Sequence, residues 1–479
     1  MSTFKRFEIS PLTSPGPISK LPLEIITEIF MHSLPSPQSW DNYFNSALSG
    51  RSAPLVLTWT CSQWRSLAMA SPALWSTFYV YLSHGYSKKV YSQAQLLDIS
   101  REWLGRAADR ELSIGVCAEG SSERLKHLWS IIEENCSRIA SLWVTFFSPA
   151  QGVAIHAEGL SFPRLQSLGI LLDCSDDEDT TLILPSDQAL TTFATCPLLE
   201  RLALSGVPHT SLQLPYEQIT WLSVDYLYFE EFIECLDAMP NLRKCYLTGA
   251  AFGRDAPPEV THRNLQLLDI NSYDDAADYD ADDHTTFALE LLTLPSLETL
   301  KLRFDYGFKG MPGLFQSFVE RSSPPLRVLW LSSAYLKQES DYIHFKSHAD
   351  FEAICPVRSI RIEKPHTKLL PRLFQRHCYP VLEEIELVDC DISYLWEITM
   401  HVVDGICDGL GWGREGPYKS VRVFFNKPFY GVEIVPWIGR ATELYDKIQQ
   451  IRSAGTEIYI GTDEVSMIQG EKSQRPKAV

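Results

Sequence analysis

Basic residues are the scarce class in this chain. Lys and Arg number 42 against 60 Asp and Glu, which leaves a formal net charge of −18 at pH 7. Duplex binding by counterion release needs a basic surface, so this balance argues against a nucleic-acid partner, and equally against general attraction to anionic membranes. Long apolar runs are also missing. No window approaches the roughly 18 uninterrupted apolar residues of a spanning helix. The opening residues, MSTFKRFEISPLTSPGP, hold no apolar core of the kind a secretory signal needs. The 11 cysteines are odd in number, scattered and without a C-x-x-C pair, so we expect reduced thiols and a cytoplasmic or nuclear location. The phosphate loop G-x-x-x-x-G-K-[ST], the G-x-S-x-G elbow and the H-E-x-x-H pair are all absent.

Apolar side chain, by contrast, is plentiful. Hydrophobic residues make up 45% of the chain and charged residues 21%, a globular composition. With 479 residues we expect a small domain beside a large one, or a repeat array.

The first organised stretch is ISKLPLEIITEIFMHSLPS, 18–36. Pro22 suits the first helical position, where its missing N–H is no loss. Glu24 then lies in the first turn, favoured by the helix dipole. Ile25 with Ile29, and Ile26 with Phe30, are each four apart and make one broad apolar face. Leu34-Pro35 ends the element, because the residue before proline avoids helical angles. A helix this short is marginal alone in water. A partner follows at 53–75, APLVLTWTCSQWRSLAMASPALW. There Leu57, Cys61, Trp64 and Ala68 recur at helical spacing, Leu67 widens the face, and Ser71-Pro72 breaks the helix before Leu74-Trp75.

These two stretches together resemble the F-box, a helical motif. The resemblance covers 18–75, with an insertion near 36–52 longer than the usual loop, and rests on the Leu-Pro start, the Ile/Phe stripe, the Cys-x-x-Trp-Arg and the closing Leu-Trp. The F-box family docks on a small Skp-type adaptor and through it on a cullin scaffold, as the substrate receptor of a ubiquitin ligase. By that resemblance Leu21, Pro22, Ile25, Ile29 and Phe30 face the adaptor or the shared core, and Leu57, Cys61, Trp64 and Leu67 complete the surface. The alternative is a two-helix cap whose apolar residues are all internal.

From residue 75 onward another pattern returns: apolar, two residues, apolar, one residue, apolar. It appears at Trp75-Phe78-Val80, Ile139-Leu142-Val144, Leu165-Leu168-Ile170, Leu199-Leu202-Leu204, Ile219-Leu222-Val224 and Leu242-Cys245-Leu247. It continues at Leu265-Leu268-Ile270, Leu297-Leu300-Leu302, Leu326-Leu329-Leu331, Val357-Ile360-Ile362, Leu382-Ile385-Leu387 and Tyr418-Val421-Val423. The last two positions alternate as a half-buried strand requires. Proline precedes many units and ends the helix before them; YFEEFIECLDA and MPGLFQSFVER are such helices. The unit of strand, loop, helix and turn resembles an irregular leucine-rich repeat. One unit cannot bury its own apolar face, so neighbours must stack.

The expected fold class is therefore α/β: an N-terminal helical F-box followed by an irregular leucine-rich-repeat solenoid, a horseshoe with parallel strands on the concave face and helices outside. Its divisions are a flexible start (1–17), the F-box (18–75), the solenoid (76–426), a capping region (427–464) of loop, amphipathic helix and last strand, and a flexible tail (465–479). A doubly wound α/β enzyme also alternates strand and helix, but its phosphate loops are missing.

No constellation of catalytic residues emerges. The glycines of GLGWGREG at 409, 411, 413 and 416 miss the spacing of a dinucleotide loop. Asp278, Asp280 and Asp282 start like a calcium loop, but Asp283 stands where glycine is needed and Leu289 where glutamate is needed. That run and CSDDED at 174–179 read as solvated insertions. His377 and Cys378 are adjacent and point apart. We expect no catalytic residue, no metal and no cofactor, and read the chain as a non-enzyme.

If the repeats stack, residues between and flanking the last two apolar positions point to the open face. That picks out Trp221, Lys244, Tyr246, Lys301, Arg303, Trp330 and Arg361, and exposed Trp, Tyr and Arg are the types that make binding hot spots. They are the candidate substrate-binding residues for an unknown protein target, with cations suited to an acidic or phosphorylated segment. The rival expectation is that neighbouring repeats cover Trp221 and Trp330.

Overall fold

The computed structural model describes residues 21–34, 52–82, 92–118, 122–146, 160–172, 190–249, 258–271, 284–304, 311–333, 357–365, 367, 370–374, 381–410, 418–426 and 441–462. The acidic insertions, the 36–51 segment, His377-Cys378, the glycines at 411, 413 and 416 and both chain ends lie outside them. The chain divides into two compact units: residues 1–199 with 210–215, and residues 200–209 with 216–479.

In the first unit the helices come first: α1 (Leu23–His32), α2 (Leu55–Thr60) and α3 (Ser62–Met69), with a 3-10 turn at Pro72–Trp75. Pro22 caps α1 from outside, at φ −54° and ψ 149°, rather than occupying its first turn. The spacing across 57–68 predicts one helix, but the backbone opens at Cys61 (φ −157°, ψ 172°) and makes two. Cys61 Sγ accepts the Trp64 N–H at 3.4 Å, which caps α3, and Arg65 Nε reaches back to the Thr58 carbonyl at 2.8 Å. The break turns α3 so that Ala68 is wholly buried beside Leu74 and Trp75, and Trp75 Nε1 donates to the Ala68 carbonyl at 2.8 Å.

Strands β1 (Thr77–Leu82), β2 (Leu112–Ala118), β3 (Ile139–Phe146) and β4 (Ser167–Leu172) then pair in parallel, in chain order. Helices α4 (Gln93–Arg106) and α5 (Ser122–Asn135) lie between successive strands. Ser92 and Gln95 start α4 with a reciprocal capping box, which satisfies two otherwise orphan N–H groups. Trp103 of α4 meets Trp75 at 5.0 Å and Phe78 at 5.6 Å between ring centroids. β2 has no leading apolar residue, since Glu111 stands there, so the repeat pattern passes over it.

The second unit holds β5 (Arg201–Ser205), β6 (Trp221–Asp225), β7 (Lys244–Thr248), β8 (Val260–Thr261), β9 (Leu267–Asn271), β10 (Leu292–Thr293), β11 (Thr299–Phe304), β12 (Val328–Ser333), β13 (Ser359–Glu363), β14 (Glu384–Cys390), β15 (Ser420–Phe425) and β16 (Glu457–Gly461). β8 and β10 pair with each other, and the rest follow chain order in parallel pairs. The helices Phe229–Ala238 and Met311–Ser322 stand where the proline-bounded stretches predict them.

Register explains the repeat. Leu202, Leu222, Cys245, Leu268, Leu300, Leu329, Ile360, Ile385, Val421 and Ile458 are successive Cα partners across the second unit's sheet. All are buried. Each fully buried leucine contributes about 1.5–3 kcal/mol, and a slip of one residue would turn this whole row to water. Of the repeat positions, only Leu331 and Ile362 are half-buried rather than buried. Asn241 and Asn264 tie successive loops by donating to the Glu217 and Pro240 carbonyls at 2.7 and 2.8 Å. The C-terminal region departs from the sequence pattern, yet its strand β16 pairs with β15 in the same register and extends the sheet.

Candidate functional site

Two surfaces carry the candidate residues. On α1, adjacent isoleucines have opposite fates. Ile26 and Phe30 are each 1% exposed, while Ile25 is 48% and Ile29 41% exposed. Phe30 packs on Trp64, with ring centroids 4.9 Å apart. The apolar face is thus two faces: Ile26 and Phe30 hold α1 to the helices behind it, and Leu21, Leu23, Ile25 and Ile29 look outward. Val56 and Trp59 of α2 and Met69 of α3 are also exposed. Phe30 and Leu57 are core, not surface; Trp64 and Leu67 are half-buried; Cys61 is exposed. Leu23, Trp59 and Val56 are exposed apolar residues outside the sequence-predicted set, the last two because the spacing suggested one continuous second helix.

The second surface is the outward face of the sheet in the second unit. Because side chains alternate across a strand, one register row reads Ser223, Tyr246, Asp269, Lys301, Trp330, Arg361, Glu386, Arg422 and Tyr459. Arg201, Trp221 and Lys244 share the neighbouring row, and Arg303 falls in the row on the other side. All seven candidates therefore share one face, but they form two groups.

In the first group Trp221 and Tyr246 lie 5.3 Å apart, with the Arg201 guanidinium 4.6 Å from the Trp221 ring centroid. Lys244 is exposed beside them. In the second, Trp330 is ringed by Arg361, Lys301 and Arg303 at 4.0, 4.7 and 5.5 Å. Trp221 and Trp330 are half-buried, not covered. Carboxylates that the hot-spot argument skipped complete this group. Asp269 lies 3.5 Å from Lys301, and Glu386 and Glu363 lie 3.3 and 3.7 Å from Arg361. Burial raises the Asp269 carboxyl above the usual carboxylate range, against the pull of Arg303 and Lys301. Arg201, Asp269 and Glu386 occupy the same register positions as residues chosen from sequence, so register alone would have found them.

Tyr226 also escaped the pattern. It follows β6 in the left-handed region, at φ 55°, where the equivalent residues after β5 and β7 are Gly206 and Gly249. All three N–H groups donate to the next strand's backbone, at 3.0 to 3.1 Å. A tyrosine there costs about 1–2 kcal/mol relative to glycine, and this one is 63% exposed. Next to it, burial pushes the Asp225 carboxyl up to about 6, partly offset by a hydrogen bond from Thr248.

The corresponding face of the first unit is different. Tyr79, Gly115, Trp143 and Gly169 share one row. A Cβ on Gly115 would stand 2.1 Å from the Tyr79 ring, and one on Gly169 would stand 2.2 Å from the Trp143 ring. Both rings thus lie flat on the neighbouring strand's backbone, and Tyr79 Oη shares a 2.6 Å hydrogen bond with Ser113 Oγ.

Among the described residues no group of three or more His, Cys, Asp and Glu could hold a metal ion. None of the described helices is long and apolar enough to cross a membrane. No protein-family model and no curated protein matches the chain. Among solved structures, the chain is similar to one in the crystal structure of the yeast Rad7 and Elc1 complex. Identity is 14%, covering 63% of this chain and 84% of that chain, with a TM-score of 0.24. At that score the likeness carries no argument.

Proposed function

We propose that this protein is a non-catalytic substrate receptor. Its N-terminal helices dock as an F-box on a Skp-type adaptor of a cullin-based ubiquitin ligase, and the outward sheet face of its second unit, read as leucine-rich repeats, holds a protein target. The observation that carries the reading is the division of α1: Ile26 and Phe30 are buried while Leu21, Leu23, Ile25 and Ile29 stand bare. An exposed apolar patch on an otherwise acidic chain is a site for a partner, and the F-box resemblance supplies the partner's class. The mechanism is tethering. Held between adaptor and target, the receptor raises the effective concentration of target lysines near the charged ubiquitin carrier, so it needs no reactive group of its own.

Co-purification with a Skp-type adaptor, comparing the native chain with Ile25→Asp, tests this. The expected result is loss of adaptor from the variant with an unchanged circular-dichroism spectrum and melting curve. Equal adaptor recovery by both chains would end the reading. Reconstituted ubiquitination of captured targets that depends on Ile25 separates a ligase receptor from a scaffold using the same helices outside a ligase.

A further inference from the structure

We propose that the Trp330 cluster receives the side-chain carboxylate of an acidic residue on the partner protein. This deepens the receptor reading above and rests on it. Trp330 Nε1, Arg303 Nε and Arg361 Nε are all buried without a hydrogen-bond partner. No oxygen of Asp269, Glu363 or Glu386 shares that condition. The unmet groups of the cluster are therefore donors only, and buried donors are normally satisfied. A ligand that uncovers them on docking must bring acceptors and negative charge.

The cations are not equivalent. Lys301 has Asp269, and Arg361 has Glu363 and Glu386. Arg303 makes no ion pair within 4.0 Å among the described residues; it pulls on Asp269 only from farther off, and its close neighbour is the Trp330 ring, at 5.5 Å. A ring face holds a guanidinium without consuming its N–H groups. Arg303 thus keeps its planar fork of donors, which matches a carboxylate bidentately, and rotation of its side chain presents that fork to a ligand on the outward face. The ligand we assign is an Asp or Glu side chain, whose two oxygens match the guanidinium fork; a phosphate offers the same acceptors with more charge, and the titration below distinguishes the two.

The test uses the full chain carrying 5-fluorotryptophan, with Trp330→Phe to assign the Trp330 fluorine resonance. Three capped tripeptides are titrated: acetyl-Glu-Ala-Glu amide, its Gln counterpart and its phosphoserine counterpart. The Glu peptide is expected to shift the Trp330 resonance saturably, and the Gln peptide to leave it in place. Arg303→Gln should raise the Kd about tenfold or more, as loss of a charge-assisted hydrogen bond implies, and Arg303→Lys should fall between. No shift with the Glu peptide, or tighter binding of the phosphoserine peptide, would overturn the proposal. Target capture separates it from the reading beneath. Capture lost in the Trp221→Ala/Tyr246→Ala double variant but intact in Arg303→Gln overturns the carboxylate site alone, whereas capture unaffected by either variant overturns the receptor face itself.

Discussion

The outward sheet faces of the two units obey the same pleat and present opposite chemistry. In the first unit Tyr79 and Trp143 lie flat on Gly115 and Gly169, beside a row of Thr77, Ser113, Ser141 and Ser167. Ring and backbone cover each other, and the Tyr79 hydroxyl is satisfied by Ser113. In the second unit, glycines are replaced by charges. Trp330 is flanked by cations on both neighbouring strands, and donors around it remain unmet. An aromatic ring in a strand row is therefore not in itself a binding feature. Where the next strand offers glycine the ring completes local packing; where it offers Lys or Arg the ring organises charge for something else.

Substitutions can break this comparison. The largest stability effect is expected on α1, where adjacent positions do different work. Phe30→Ala should lower the stability of the helical module by about 3–5 kcal/mol, whereas Ile25→Asp should change it by less than about 0.5 kcal/mol. Urea denaturation of both variants reads the contrast, and similar losses in both would show that α1 has no free side.

In the first unit, Gly169→Ala should cost about 1–3 kcal/mol, because the added methyl must displace the Trp143 ring. Combining it with Trp143→Ala should cost less than the sum of the two single changes. Strict additivity in that cycle would mean the ring does not rest on the glycine.

The second unit offers a pH-dependent counterpart. Asp225 has its folded pKa raised from 3.8 to about 6. A raised acid contributes stability that is present below its unfolded pKa and lost as pH rises through the folded value. Asp225→Asn should therefore stabilise the protein at pH 7.5, by at most about 3 kcal/mol, and give no advantage at pH 3.5. Melting curves at the two pH values check the sign, and a gain that grows on acidification would contradict it.

The smaller of the two expected gains in stability is at Tyr226. Tyr226→Gly should raise stability by about 1 kcal/mol through relief of the left-handed backbone, at the expense of target capture if the exposed ring belongs to the binding face. Differential scanning calorimetry with a capture assay reads both.

Much of this was legible in residue order. The apolar spacing of Leu202, Leu222 and Leu268 gave strands, and proline before a unit gave the helix end. What misled were local interruptions. Cys61 fits a helical stripe by spacing, yet its sulfur caps the following helix and splits the element in two. Glu111 stands where β2 would show its leading apolar residue, so that strand escaped notice. Among the candidate site residues, residue type and strand position pointed to the rings and to four cations, Lys244, Lys301, Arg303 and Arg361, but not to Arg201, Asp269, Glu363 or Glu386, whose importance depends on which strands become neighbours.

Residue order alone sets the strand–helix alternation, the buried row and the side of each strand that faces water, because a period of two is a property of residue order. It also sets a short apolar helix near the start of an acidic chain. Packing between distant segments turns Ile26 inward and leaves Ile25 out, and makes Lys301, Trp330 and Arg361 neighbours. Those facts depend on the register between segments dozens of residues apart, and the burial of the whole apolar row, rather than any one side chain, sets that register.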